Sequence, residues 1–267
     1  MEYLKALILG IVQGLTEWLP ISSTAHLLII DEFIKLSGSE SFKSLFMVII
    51  QLGSILAVVV AYFSTLWPFK SNKEDTKKSF ELWFKIVAAS IPAMVFGLLL
   101  DDIIDQKLGT WYVIALTLAF YGILYVILEK RKDKKAPKYV EIEDISYKKA
   151  FQIGLFQALA IIPGTSRSGS TILGGMLLGF SRELAAKFSF FMAIPVMLGA
   201  TAVRFIKHAG GISQSEWIMI LFGTAVSFVV SLAVIKAFVA YVRRHDFSVF
   251  GIYRIIVAIL LVLVFAF

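Results

Sequence analysis

The chain has 267 residues, 58% of them hydrophobic and 17% charged, with a formal net charge of +7 and no cysteine. A soluble domain of this size needs more polar cover, and the missing cysteine excludes disulfides, thiolate nucleophiles and Cys-ligated metals. The basic residues fall in loops between apolar blocks and form no single patch, so they read as membrane topology and give no support to a nucleic-acid partner.

The first segment, roughly residues 3–34, is apolar but broken midway by Pro20-Ile21-Ser22-Ser23-Thr24-Ala25-His26. Its arms are shorter than the roughly 20 residues a helix needs to cross a bilayer core, and proline ends or kinks a helix. A re-entrant hairpin is therefore expected, entering and leaving on the same side, with its irregular turn buried in protein or lining a wet cavity. The segment lacks a basic n-region and a small-residue cleavage site, so no cleavable signal peptide is expected. Gln13 and Glu17 lie four apart and share one helix face. A carboxylate on an apolar helix is a functional-site hypothesis by default; the alternative is a structural Glu bonded to a hydroxyl or an Arg. Ser22, Ser23 and Thr24 are suited to capping the second arm, and His26 follows them within one turn.

Apolar runs at 46–62, 82–100 and 110–128 predict three spans. A basic loop at about 130–148 follows, and then a second broken segment at roughly 149–180. Gly154 and Gln157 there stand where Gly10 and Gln13 stand in the first, and the two prolines align after a one-residue slip. The knot Pro163-Gly164-Thr165-Ser166-Arg167-Ser168-Gly169-Ser170-Thr171 has the composition of an anion cradle. Its glycines permit close backbone approach, hydroxyls and N–H groups donate, and Arg167 offers a planar fork matched to phosphate. The alternative for Arg167 is a plain salt bridge to Glu17, which would still make a polar cavity of the two tips. Runs at 188–203, 217–242 and 250–267 predict three further spans. His208 and His245 fall in loops and are expected to be solvated.

The fold expected is an all-α polytopic membrane protein, one membrane domain over residues 1–267. Each half carries one re-entrant helical hairpin and three transmembrane helices. Three is odd, so the halves (about 1–130 and 149–267) take opposite orientations, as an inverted-topology repeat. Lys70, Lys73, Lys77, Lys78, the run from Lys130 to Lys138, Lys148, Lys149, Arg243 and Arg244 fall on one side. That side is expected to be cytoplasmic, with both termini outward.

Residues 13–26 and 163–171 together resemble the undecaprenyl-diphosphate phosphatase family of the bacitracin-resistance type, with similarity along the whole chain. Gln13 and Glu17 match the Gln form of the family's first motif, and Pro163 to Thr171 match its second in full. The resemblance implies a bacterial plasma-membrane hydrolase with an outward-facing site. Its substrate would be the C55 isoprenyl diphosphate, cleaved to the monophosphate to renew the lipid carrier for peptidoglycan synthesis. A divalent cation, Mg or Ca, is implied with it, as is bacitracin tolerance when the enzyme is abundant. In the mechanism expected, Arg167 clamps phosphate oxygens with Ser22, Gly164, Thr165, Ser166, Ser168 and Thr171 around it. Glu17, with Gln13, holds the metal or acts as general base. Ser23 is the first choice of nucleophile, with His26 as acid/base or orienting partner; attack by His26 or by metal-bound water stays open. The competing class is an inverted-repeat transporter or flippase of a lipid phosphate, in which Glu17, His26 and Arg167 form a proton-coupled binding site. Partners expected are the isoprenyl lipid and membrane lipids, and a homodimer is left open.

Overall fold

The computed structural model describes residues 1–131 and 136–266. Lys132, Lys134 and Lys135 of the basic run lie outside the described residues, as does Phe267 at the end of the last apolar block. Among the described residues the fold is helical, with one isolated bridge between Tyr139 and Phe180. In chain order the helices are α1 (Glu2–Thr16), α2 (Ser23–Ile34), α3 (Glu40–Ala61), a single turn α4 (Phe63–Leu66) and α5 (Lys73–Ile103), continued by a π-helical turn at Ile104–Leu108. Then follow α6 (Trp111–Arg131), α7 (Tyr147–Leu159), α8 (Arg167–Leu177), α9 (Arg182–His208), α10 (Gln214–Val242) and α11 (Ser248–Ala266). Six of them, α3, α5, α6, α9, α10 and α11, are long and apolar enough to cross a membrane. Large apolar side chains such as Phe33, Phe84, Leu116 and Leu221 stand exposed along the bundle. In water that would be an aggregation hazard; against lipid tails it is the expected surface.

Apart from the single turn α4, the remaining helices are short: 15 and 12 residues for α1 and α2, 13 and 11 for α7 and α8. At 1.5 Å per residue none exceeds about 23 Å, less than a core of about 30 Å. Pro20 and Pro163 fall in the breaks between them. The outer ends of each pair are tied together. Ser37 N–H donates to the Glu2 carboxylate, and Lys5 donates to the Lys35 carbonyl. The loop before α7 bonds to the connection after α8, through Lys138 and Tyr139 N–H to the Gly179 carbonyl and Ser181 N–H to the Tyr139 carbonyl.

Packing crosses between the two halves of the chain. α1 lies on α10, and α7 lies on α5. The approach is close because glycines line it. A Cβ on Gly10 would stand 2.7 Å from the Gly223 carbonyl oxygen and one on Gly14 2.8 Å from that of Ser227, while one on Gly154 would collide with the Ala89 carbonyl. Small residues at contact positions are how helices associate in lipid, where no hydrophobic drive operates between them. α6 and α11 cross where Gly122 and Gly251 face each other, and α3 packs on both α9 and α10. The core between these layers is dominated by Trp18, Phe188, Phe190 and Phe191, all fully buried.

Candidate active site

The two breaks have the same local construction. α2 starts after Ser22 and α8 after Ser166, and each serine caps its helix by accepting a backbone N–H, from Ala25 and from Gly169. Both serines hold left-handed backbone, φ 71° and 68°. A side chain pays of order 1–3 kcal/mol to stay there, and such strain collects at functional sites. Gly164, at φ 86°, must be glycine for a second reason: a Cβ would stand 2.6 Å from the Ile114 carbonyl oxygen. Thr117 on α6 completes the seat by donating to the Pro163 carbonyl at 2.7 Å.

The breaks meet. Glu17, in the first residue after α1, places Oε1 2.8 Å from Arg167 Nη2 at the start of α8. Its other oxygen accepts from Gln13 Nε2 and from Ser23 Oγ, both at 2.9 Å. One buried carboxylate thus gathers the amide, the hydroxyl and the guanidinium. Ser168 Oγ crosses in the opposite sense to the Leu19 carbonyl at 2.9 Å. Arg167 is further fixed by Nη1 donating to the Ser189 carbonyl and by the Trp18 ring 5.2 Å from its guanidinium carbon. Ser189 in turn shares a 2.6 Å hydrogen bond with Thr171.

The remaining expected residues sort by place. Ser166 bonds to Ser168 at 3.2 Å beside Arg167, and Gly164 and Thr165 form the turn before it. His26 sits apart from Ser23's hydroxyl bond. Its Nδ1 faces the Ser22 carbonyl at 2.7 Å, which requires a proton on Nδ1, and its Nε2 faces the Tyr253 hydroxyl at 2.8 Å. The two rings stack. Outside the site, His245 is exposed and stacked on Tyr241, while His208 ends α9 half-buried.

Sequence reading missed Tyr253, Ser189 and above all Arg254. The Arg254 guanidinium is fully buried and donates to the carbonyls of Pro20 in the first break and of Gly164 and Thr165 in the second, with Leu118 as a fourth acceptor. The signal was available: an arginine inside the apolar run 250–267 calls for the same question as Glu17.

Four polar atoms at the site, Gln13 Oε1, Trp18 Nε1, Thr165 Oγ1 and Arg167 Nε, are buried without a hydrogen-bond partner. Buried polar groups are nearly always paired, so these atoms suit a polar ligand. Among the described residues no three His, Cys, Asp or Glu gather as a metal cage. The oxygen donors of Glu17 and Gln13 still fit a hard cation that keeps its other positions for substrate oxygens and water.

A polytopic helical membrane protein with an acid–guanidinium–hydroxyl centre between two helix breaks is the class that fold and site define. The chain belongs to the bacitracin resistance protein BacA family, whose model matches residues 6–260. It is 49% identical to an undecaprenyl-diphosphatase of Enterococcus faecalis over 270 residues, covering 100% of this chain and 98% of that protein. It is 52% identical to undecaprenyl-diphosphatase 1 of Clostridioides difficile over 267 residues, covering 99% of this chain and 97% of that protein.

Proposed function

We propose that this chain is an integral membrane hydrolase that cleaves undecaprenyl diphosphate to undecaprenyl phosphate and inorganic phosphate. This renews the lipid carrier for peptidoglycan synthesis and confers bacitracin resistance. Membership of the family and near-half identity to named undecaprenyl-diphosphatases over the full length support the activity. The single structural observation that carries it is the Glu17 carboxylate holding both Ser23 Oγ and the Arg167 fork. Phosphoryl transfer needs positioning and charge neutralisation, and those three side chains supply a nucleophile, its proton acceptor and a clamp.

In this reading the diphosphate enters between the breaks and takes over Arg167 from Glu17, with Arg167 Nε donating as well. The released carboxylate accepts the Ser23 proton as Oγ attacks the terminal phosphorus. The bond to the bridging oxygen breaks and undecaprenyl phosphate leaves with the proton that Glu17 returns to it. Water then attacks the phosphoserine, Glu17 takes its proton, and the P–Oγ bond breaks with that proton passing to Ser23 Oγ as inorganic phosphate leaves. Ser166, Ser168, Thr171 and the free N–H groups opening α8 line the phosphate's seat. Ser22 holds the opening turn of α2, and His26, braced by Tyr253, orients the same turn through the Ser22 carbonyl. Gln13 and Glu17 would hold the divalent cation, which supplies charge neutralisation at phosphate oxygens.

The two hairpins are re-entrant and related as an inverted repeat, with the site and both termini facing outward. Support comes from the tied outer ends of each short-helix pair, from the exchanged packing of α1 on α10 and α7 on α5, and from the matched strain at Ser22 and Ser166. The orientation follows from the excess of lysine and arginine in one set of loops. A bacterial plasma-membrane location is supported by membership of the family and by the six apolar helices.

Purified protein in detergent, where no gradient exists, decides between hydrolase and carrier. Sustained phosphate release from the isoprenyl diphosphate, abolished by a chelator and restored by Mg or Ca, is expected. Tight binding of the lipid without release would leave the carrier.

A further inference from the structure

We propose that the cavity between the ends of α3, α9 and α10 binds the phosphate headgroup of an anionic membrane phospholipid. It is an open hollow of about 300 Å³ lined by Tyr62, Lys187, Lys236 and Arg243, with Ile235, Val239 and Ala240 among its apolar walls. Glu183 holds two of these cations: Arg243 in a two-bond fork at 2.8 and 2.6 Å, and Lys187 at 2.6 Å. Three cations therefore face one carboxylate, an excess of two positive charges around a hollow with a phenolic hydroxyl.

Position argues for a lipid ligand. The C-terminal ends of α3 and α10 and the N-terminal end of α9 come together at the end of the bundle that carries the basic loops. Lys236 stands six residues before the end of α10, about 9 Å along the axis, in a 29-residue helix that is otherwise strongly apolar. A lysine at that depth extends its head toward the interface, where lipid phosphates lie. Basic pockets between transmembrane helices at this level suit phosphorylated headgroups. Lys187 and Arg243 are pre-oriented by Glu183, Lys236 brings the third charge from the lipid side, and the apolar walls accept the upper acyl chain. The site shares no side chain with the Glu17–Arg167 centre and does not depend on the hydrolase reading.

Native mass spectrometry of the purified protein in detergent, titrated with phosphatidylglycerol and phosphatidylcholine, tests the site. Wild type is expected to retain phosphatidylglycerol preferentially. The double variant Lys187→Gln with Lys236→Gln should bind it about tenfold or more weakly, with phosphatidylcholine binding unchanged. Should that variant fold poorly, Ala240→Phe fills the cavity and keeps every charge, and the same loss is expected. Equal phosphatidylglycerol binding by wild type and both variants overturns the proposal. So does an equal loss in Lys77→Gln with Lys148→Gln, which reports general attraction to the basic face. Displacement of phosphatidylglycerol by millimolar inorganic phosphate would assign the cavity to the free ion and overturn the lipid.

Discussion

Arg254 is fully buried and Arg167 largely so, but they face different kinds of partner. Arg167 meets a carboxylate and keeps Nε unpaired, so its fork is poised to change partners. Arg167→Lys keeps the charge and loses the planar donors. Turnover should fall by about 100-fold or more, the scale of removing a preorganised donor, with insertion and thermal unfolding little changed; phosphate release by purified variant measures it. The hydrogen bonds of Arg254 go to carbonyls, and three of the four acceptors belong to the two breaks. Arg254→Met leaves those acceptors buried and unpaired. A loss of about 3–5 kcal/mol is expected from breaking such a buried charged network, read as a lower unfolding temperature together with lost activity. Arg254→Lys, able to serve fewer carbonyls, should fall between.

At the level of elements, glycines decide how near the short helices come to the long ones. Gly154→Leu would drive α7 away from the Ala89 carbonyl of α5 and is expected to destabilise by about 1–3 kcal/mol, the range for overpacking. Gly199, in α9, has no atom within 4 Å of an added Cβ, so Gly199→Ala should raise stability by about 0.5–1 kcal/mol through helix propensity. Thermal unfolding of the two variants beside wild type checks both signs. This pair also marks how far the chain could be read without its structure. The six long helices and the breaks at Pro20 and Pro163 were legible, because apolar length and proline act locally. The sequence of residues 46–54 echoes that of residues 191–200, with Gly53 and Gly199 at similar places, yet only Gly53 is pressed against a neighbouring backbone, at Thr224. That difference arises from which helix packs where. The meeting of Glu17 with Arg167 could be weighed as an ion pair from charge alone, whereas Arg254 and Tyr253 sit some ninety residues beyond the second knot and reach the breaks only through the fold. Ser23's bond to Glu17, with His26 turned to Tyr253, likewise depends on how α2 starts and on where α11 lies.

For the whole molecule, the repeat stands or falls on the number of crossings between the two hairpins. In the proposed topology α3, α5 and α6 lie between them as three spans, an odd number, which would set the outer ends of the first hairpin on the opposite side from those of the second. Ser37 belongs to the first set, bonded to Glu2, and Lys148 opens α7 in the second. Both are exposed, and the chain has no cysteine of its own, so one introduced thiol reports one position without background. In intact cells a membrane-impermeant maleimide should label Ser37→Cys and leave Lys148→Cys untouched until the membrane is opened. Lys77→Cys, between α4 and the apolar part of α5, should behave as Lys148→Cys does, because one crossing separates it from Ser37. Labelling of Ser37→Cys and Lys148→Cys from the same side would require an even number of crossings and would sink the inverted repeat. The reverse pattern, with Lys148→Cys labelled outside, would keep the repeat and overturn the orientation drawn from the basic loops, placing the breaks in reach of the opposite leaflet.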